Sequence, residues 1–183
     1  PEYGPGHAIE IIKMEGRRQR ELAAEVGVWL HDVLEALILD QPIPDPPPDL
    51  LGRRLDGEVL HQGLLDGWAN GLLNFLLDFD VEAFLAEATV CNPVEGHAGT
   101  LDMGAVLRGL SRWLIDLKTG KNLPSWLDLQ LQAYWSATEL WLPLGERCPM
   151  PEFDRAGVLH LRPGYHRGYK LREVTMQQST WEE

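Results

Sequence analysis

Apolar and polar positions divide the chain into helical and extended stretches. From about Arg17 to Leu39, Leu22, Val26, Trp29, Leu30, Val33, Leu34 and Leu37 recur every three or four residues, the spacing of one buried helix face. Before that stretch, residues 1–15 mix Gly and Pro with the short apolar patch AIEII, and the pattern predicts an arm with at most one short element. The run QPIPDPPPD at residues 41–49 ends the helix, because proline lacks an N–H and keeps its predecessor out of the helical region. Too few residues precede this run to form a domain, so it is read as a stiff connector. Residues 56–79 read as a second helix, with Val59, Leu60, Leu64, Trp68, Leu72, Phe75 and Leu76 on its apolar side. Gly63, Gly67 and Gly71 weaken that helix and let a neighbour come close.

Further along, the period shortens. The second half of VEAFLAEATVC (81–91) suits a strand, while its first half fits a strand or a continued helix. HAGTLDMGAVL (97–107) reads as a strand entering a turn, and RWLIDLK (112–118) as a second strand. TGKN supplies a turn, and Pro124 suits the start of a helix predicted over 125–142. Two alternating runs around a Gly- and Pro-rich turn predict a hairpin over 156–175. There is no internal repeat. Helices, three extended runs, a helix and a hairpin make one α/β or α+β domain over residues 1–183.

Composition narrows this further. With 183 residues the chain can build one core without a metal or disulfide to staple it. No run of 18 apolar residues predicts a membrane span. The first residues lack the basic and then apolar segments of a signal peptide, and Pro1 is read as following a lost Met or a longer removed segment. Cys91 and Cys148 stand far apart, outside any CxxC, so one chain offers no cysteine set for zinc or an iron–sulfur cluster. The two can form one disulfide, and reduced thiols in a cytoplasm are the simpler reading. The net charge of −12 speaks at first against a polyanionic partner. Its distribution qualifies that. Residues 1–151 carry 23 acidic and 11 basic residues, whereas residues 152–183 carry five of each. Arg155 to Arg172 holds five basic residues with no acid among them.

The chemistry concentrates in GTLD, LIDLKTGK and QLQAY. Asp116 and Lys118 are two apart on a strand and so share one face. Asp102, fourteen residues earlier, lies on a strand that can form a hairpin with theirs. Convergent carboxylates repel unless a cation sits between them. Oxygen ligands of this kind suit Mg²⁺ or Mn²⁺, which also take phosphate oxygens. Such an ion polarises a phosphate and lowers the pKa of a bound water, and a neighbouring lysine can orient that water or stabilise charge on phosphorus.

With their order and spacing, Gly99 to Asp102, Ile115 to Gly120 and Gln130 to Tyr134 resemble the PD-(D/E)XK nuclease superfamily, and within it the RecB-like branch that includes CRISPR-associated adaptation nucleases and phage recombination exonucleases. The branch carries a Gln-x-x-x-Tyr element after its catalytic lysine, matched by Gln130 and Tyr134, and a Gly-x-x-x-His element on an N-terminal helix, matched by Gly27 and His31. The resemblance spans Gly27 to Tyr134. It implies a restriction-endonuclease-like α/β fold with a central mixed sheet flanked by helices. It implies one or two Mg²⁺ or Mn²⁺ ions held by Asp102, Asp116 and the Leu117 carbonyl, with His31 either a ligand or hard against the ligands, and Glu87 completing the set ahead of Glu82 and Glu95. Lys118 becomes the catalytic lysine, and Gln130 and Tyr134 position the lysine or the DNA. The four iron–sulfur cysteines of many members are absent, so no cluster is expected. The implied activity is hydrolysis of DNA phosphodiesters, from an end, in recombination, repair or replication. It implies a cytoplasmic protein of a prokaryote or a phage-infected cell, acting as a homo-oligomer or with a recombination or replication partner and with no membrane. A catalytically silent DNA-binding or assembly protein of the same fold is the alternative.

Other residues have plainer readings. Arg162, Arg167 and Lys170, in the basic run, are expected phosphate contacts, with Arg17, Arg18 and Arg20 a second basic cluster. His97 is either a DNA contact or a loop histidine, and Cys91 a small buried residue. The seven tryptophans are expected mostly in the core, Trp126 and Trp135 by helix packing rather than base stacking. Two or three of the acids then belong to a cation site, so the acidic balance does not exclude DNA. It predicts weak binding that depends on salt and metal.

Overall fold

The computed structural model describes residues 5–142 and 145–177. The chain begins with helix α1 (Pro5–Ile38), so the expected arm is helical from Pro5 onward. Residues 1–4 of that arm lie outside the described residues. Gly16 does not interrupt α1, since one glycine costs only about 1 kcal/mol and the packed second half of the helix outweighs it. Leu22, Val26, Leu30, Val33 and Leu34 are almost fully buried, while Ile11, Ile12 and Met14 remain exposed.

After the Pro-rich connector, a small hairpin forms from β1 (Arg54–Leu55) and β2 (Glu58–Val59). Asp56 and Gly57 both have positive φ, 52° and 89°, the pair of left-handed residues that a tight hairpin turn requires. This turn displaces the start expected for the second helix at residue 56. Helix α2 instead runs Gln62–Asp78, and the His61 side chain accepts a hydrogen bond from the Leu64 N–H at its N-terminus.

The central sheet has seven strands: β3 (Val81–Asn92), β4 (His97–Leu107), β5 (Ser111–Lys118), β6 (Glu139–Trp141), β7 (Arg147–Pro149), β8 (Arg155–Leu161) and β9 (Tyr169–Val174). Their order is β7-β6-β3-β4-β5-β8-β9. Every pair is antiparallel except β5 and β8, which are parallel. The sheet is therefore mixed, and it is flanked by helices. The ambiguous segment 81–91 is wholly extended. The expected hairpin over 156–175 is present as β8 and β9.

The helix expected over 125–142 is shorter. Helix α3 covers Leu127–Trp135, after which the Thr138 N–H donates to the Cys91 carbonyl and β6 joins the edge of β3, Thr89 opposite Trp141. An unpaired strand edge nearby overrides the helical period of the sequence there. One core lies between the sheet and α1 and α2, with Leu30, Phe75, Met103, Ile115 and Leu159 inside it. A second, with Leu101, Leu114, Leu131, Ala156 and Val158, lies on the α3 side. Gly71 lets α2 approach closely, since a Cβ there would stand 2.6 Å from the Gly168 carbonyl oxygen.

Candidate metal centre

The ladder between β4 and β5 sets the site. It runs from Leu107 opposite Ser111 to Met103 opposite Ile115. Past that point the Leu117 N–H donates to Asp102 Oδ2 at 2.5 Å. A carboxylate thus takes the place of a backbone acceptor and is held at the end of the ladder. On the other side of β4, Ala86 pairs with Met103 and Ala88 with Leu101, which sets Glu87 opposite Asp102. Glu87 has φ 45°, an uncommon value for a residue with a side chain, and it lies in an irregular strand whose register shifts between Ala83 and Leu85. From α1, His31 Nδ1 comes within 2.8 Å of Glu87 Oε1 and 3.6 Å of Asp102 Oδ1. One ligand atom from each of His31, Glu87 and Asp102 lies within 4.8 Å of the other two.

Asp116 and Lys118 sit beside this group. They fall on the same side of β5 as Leu114, whose side chain belongs to the α3-side core. Asp116 is fully buried. Lys118 Nζ stands 2.6 Å from its Oδ2, yet no aligned hydrogen bond reaches either Asp116 oxygen among the described residues. Burial pushes the Asp102 carboxyl up to about 7; the Asp116 charge adds to the rise, while His31 and the Leu117 N–H oppose it. Burial raises Asp116 as well, against the pull of Lys118. For His31, burial works against the charged form, but the hydrogen bond to Glu87 and the charge of Asp102 outweigh it and raise its pKa. With Asp102 and Asp116 both ionised, the three acids would carry more negative charge than His31 and Lys118 offset, and burial resists that state in the absence of a further cation. The donor set of one imidazole nitrogen and carboxylate oxygens can hold a metal ion.

The remaining motif residues close round this centre. Gln130 Nε2 donates to Tyr134 Oη at 2.7 Å along α3, and Gln130 Oε1 is buried without a partner among the described residues. Burial raises the Tyr134 pKa, so its hydroxyl keeps its proton. Gly99 makes room for that ring, because a Cβ there would lie 2.6 Å from Tyr134 Cε1. Gly27 on α1 is less constrained, since a Cβ there would make only an ordinary contact, 3.6 Å from Thr119 Oγ1. Thr119 follows β5, so α1 comes close to the end of that strand one turn before His31.

Other expected residues are placed differently. Glu82 is exposed near the start of β3, and Glu95 takes a hydrogen bond from Ser136, so neither competes with Glu87. Arg162 pairs with Asp56, Arg167 with Asp78, Arg155 with Glu173 and Arg172 with Asp128, while Lys170 lies over the Tyr165 ring. The run that is free of acids in the sequence thus has acids beside its four arginines in space, and a phosphate reaching Arg162 or Arg167 would compete with Asp56 or Asp78. His97, read as a DNA contact or a loop histidine, is the first residue of β4 and bonds the Ala133 carbonyl near the end of α3. Trp29, Trp68 and Trp113 are buried, but Trp126 is 54% exposed and is not held by helix packing. Trp141, expected on a long helix, stands on β6 at the sheet edge and is 44% exposed. Both cysteines are free thiols, and burial raises the pKa of Cys91.

No helix among the described residues is long and apolar enough to cross a membrane. No family model matches the chain, and neither a curated protein nor a solved structure matches it.

Proposed function

We propose that the protein is a DNA nuclease dependent on Mg²⁺ or Mn²⁺, of the RecB-like PD-(D/E)XK type its motifs resemble, and that it hydrolyses phosphodiesters from a DNA end. The observation that carries this reading is convergence. Residues as far apart as His31, Glu87, Asp102, Asp116, Lys118, Gln130 and Tyr134 meet at one end of the β4–β5 ladder. A buried structural ion pair would require only Asp116 and Lys118. Three acids, an imidazole and an amide–phenol pair exceed what packing asks for.

Each residue has a part. His31, Glu87, Asp102 and Asp116 would hold the ion. Bound there, it supplies Lewis acidity toward the phosphate and lowers the pKa of a water. Lys118, tethered to Asp116, places a cation where negative charge grows on the phosphate oxygens. Asp102 fixes the end of β5 through the Leu117 N–H, which holds Asp116 and Lys118 in place. Gln130 orients the Tyr134 hydroxyl, and that protonated hydroxyl is a donor for a phosphate oxygen.

The test is digestion of end-labelled linear and circular DNA, single- and double-stranded, with Mg²⁺ or Mn²⁺. Linear DNA is expected to be degraded and circular DNA spared. Lys118→Ala is expected to slow the reaction by about 10²- to 10⁴-fold. Binding without cleavage by the wild-type protein would favour a silent DNA-binding role instead, and equal cleavage by Lys118→Ala would remove Lys118 from the site.

A further inference from the structure

We propose a nucleotide subsite beside the metal centre, with a phosphate on Lys121 and Arg20 and an unpaired base in the cavity between α2, the β1–β2 hairpin and the β8–β9 loop. The inference rests on the nuclease reading and deepens it: the substrate that can fill this subsite is single-stranded DNA.

The cations come first. Most arginines of this chain are neutralised by an acid or lie over an aromatic ring. Arg17 pairs with Glu21, and Arg18 with Glu15. Arg20 and Lys121 differ. Both are exposed, and neither forms an ion pair among the described residues. They line one cavity of about 150 Å³ together with Thr119 and Gly120. That is space enough to admit a phosphate group. The acid in its wall, Asp56, is already paired with Arg162. A net positive site thus stands on a chain of net charge −12.

Its position follows from the chain. Lys121 is three residues beyond Lys118. Arg20 precedes His31 by eleven residues, three helical turns, so the two share a flank of α1 about 16 Å apart along its axis. Gly27 lies between them on that flank, next to Thr119. A strand with one phosphate at the metal centre and its next few nucleotides along α1 passes over Lys121 and then Arg20.

The base has a place as well. Lys121 also lines a second cavity of about 410 Å³, with Trp68, Pro163, Gly164, Tyr165 and Glu58 in its wall. That volume is in the range of small-molecule sites. The phenol ring and the proline give flat apolar contacts, and Glu58 is an acceptor for a base amino group. The indole N–H of Trp68 has no acceptor among the described residues. One residue holds both cavities in shape. His160, only 6% exposed, lies 2.8 Å from the Gly120 carbonyl through Nε2 and 3.1 Å from the Tyr165 hydroxyl through Nδ1. Burial keeps this imidazole neutral, the state in which Nε2 donates and Nδ1 accepts. The loop that carries Lys121 and the loop that carries Tyr165 are therefore joined before any ligand arrives. A base paired in a duplex cannot turn into such a cavity, and an unpaired one can.

The experiment is fluorescence anisotropy with a labelled 20-nucleotide single strand of mixed sequence, which carries adenine and cytosine amino groups, and a labelled 20-base-pair duplex of the same sequence, in Ca²⁺, over a range of salt, beside a digestion assay in Mn²⁺. The Arg20→Ala/Lys121→Ala protein should bind the single strand roughly tenfold more weakly, and the slope of log affinity against log salt should fall by about 1.4, or 0.7 for each lost phosphate contact. Gly164→Phe should weaken single-strand binding more than duplex binding. A Cβ at Gly164 meets nothing within 4 Å, so this change obstructs the cavity without crowding the fold. Arg155→Ala, outside the subsite, should match wild type. If wild type binds and cleaves DNA while the double variant and Gly164→Phe behave identically to it, the subsite is wrong and the nuclease reading stands. If Gly164→Phe weakens duplex and single strand equally, the base-binding claim is overturned. If wild type neither binds nor cleaves any DNA, the nuclease reading fails and the subsite with it.

Discussion

The candidate metal centre and the terminal hairpin are both dense in charge, and they treat it in opposite ways. In the hairpin, Arg155, Arg162, Arg167 and Arg172 each meet an acid, three of them from elsewhere in the chain, and Lys170 covers an aromatic ring. Folding closes its electrostatics internally. At the centre, Glu87, Asp102 and Asp116 share one imidazole and one ammonium, and burial drives Asp102 and Asp116 away from ionisation. Its electrostatics remain open to a cation. A run of like charges along a sequence is thus a weak guide to a binding surface, because the partners of each charge are set by the fold. An excess of buried like charge that the fold leaves uncompensated is a stronger guide.

The sharpest way to break this contrast is to neutralise one member of each region. Asp116→Asn should remove several kcal/mol of transition-state stabilisation if an ion is held there, about 10³-fold in cleavage rate. Arg167→Ala should change the rate less than twofold, since its charge already belongs to Asp78. Steady-state digestion of linear DNA in Mn²⁺ gives both numbers. Similar losses in the two variants would erase the distinction between an open and a closed charge cluster.

The two regions should also respond to pH with opposite sign. Asp102 titrates at about 7 in the fold, against an ordinary value near 3.9. Between those values the folded protein holds a proton that the unfolded chain has released, so this group makes the metal-free protein less stable as pH rises toward 7. His31 acts in the same direction, because its raised pKa stabilises the fold at low pH and that contribution disappears as the pH climbs past it. Asp78 does the reverse. The Tyr169 hydroxyl and Arg167 lower its pKa, so its contribution is present above the ordinary carboxylate range and is lost on acidification. Metal binding needs the ionised Asp102. The rise in melting temperature on adding Mn²⁺ should therefore be larger at pH 8 than at pH 5.5, and Asp102→Asn should shrink that difference. A thermal melt series across pH, with and without Mn²⁺, checks this, and an equal shift at both pH values would count against Asp102 as a ligand.

Much of the centre was legible because its chemistry sits on well-patterned strands. Asp116 and Lys118 fall two apart on β5, and the β4–β5 hairpin brings Asp102 to them as the spacing implies. The choice of Glu87 over Glu82 and Glu95 also agrees with the structure. What could not be read was the means of placement. Nothing in VEAFLAEATVC announces a left-handed backbone at Glu87, since this depends on pairing with β4. The end of α3 was misjudged because Ser136 to Trp141 keeps a helical period, while the edge of β3 that captures β6 is more than forty residues away in sequence. The Asp56-Gly57 turn did carry a local signal, and the apolar Val59 and Leu60 after it drew that stretch into the helix. The free cations Arg20 and Lys121 were not separable from their neighbours by sequence, because only the fold shows which acids are spent on which bases.

Glycine 99 joins two motifs that the sequence keeps apart. In the centre it lets the Tyr134 ring lie against β4, and a methyl group there would come within 2.6 Å of that ring. Gly99→Ala should cost about 1–3 kcal/mol of stability by crowding and should lower cleavage by displacing the Tyr134 hydroxyl. Gly63→Ala, in α2, would meet only the His61 ring, at an ordinary 3.6 Å, and should lower neither. Chemical denaturation with parallel activity assays separates the two, and an active Gly99→Ala protein of normal stability would show that Tyr134 has no fixed place in the site.

The smallest expected effect lies in the hairpin itself. Arg155 reaches diagonally from β8 to Glu173 of β9, which stands opposite Gly157, at 3.0 Å, with both side chains about half exposed. An ion pair so open to water contributes at most about 1 kcal/mol and weakens as salt rises. The Arg155 guanidinium also lies 5.6 Å from the centre of the Trp113 ring, a contact that salt screens far less than the pair. Arg155→Ala should therefore lose slightly more stability than Glu173→Ala, and the gap between them should persist in 1 M salt while the loss common to both fades. If both variants become indistinguishable from wild type at high salt, the stacking on Trp113 contributes nothing, and the hairpin's charges are closed by ion pairing alone.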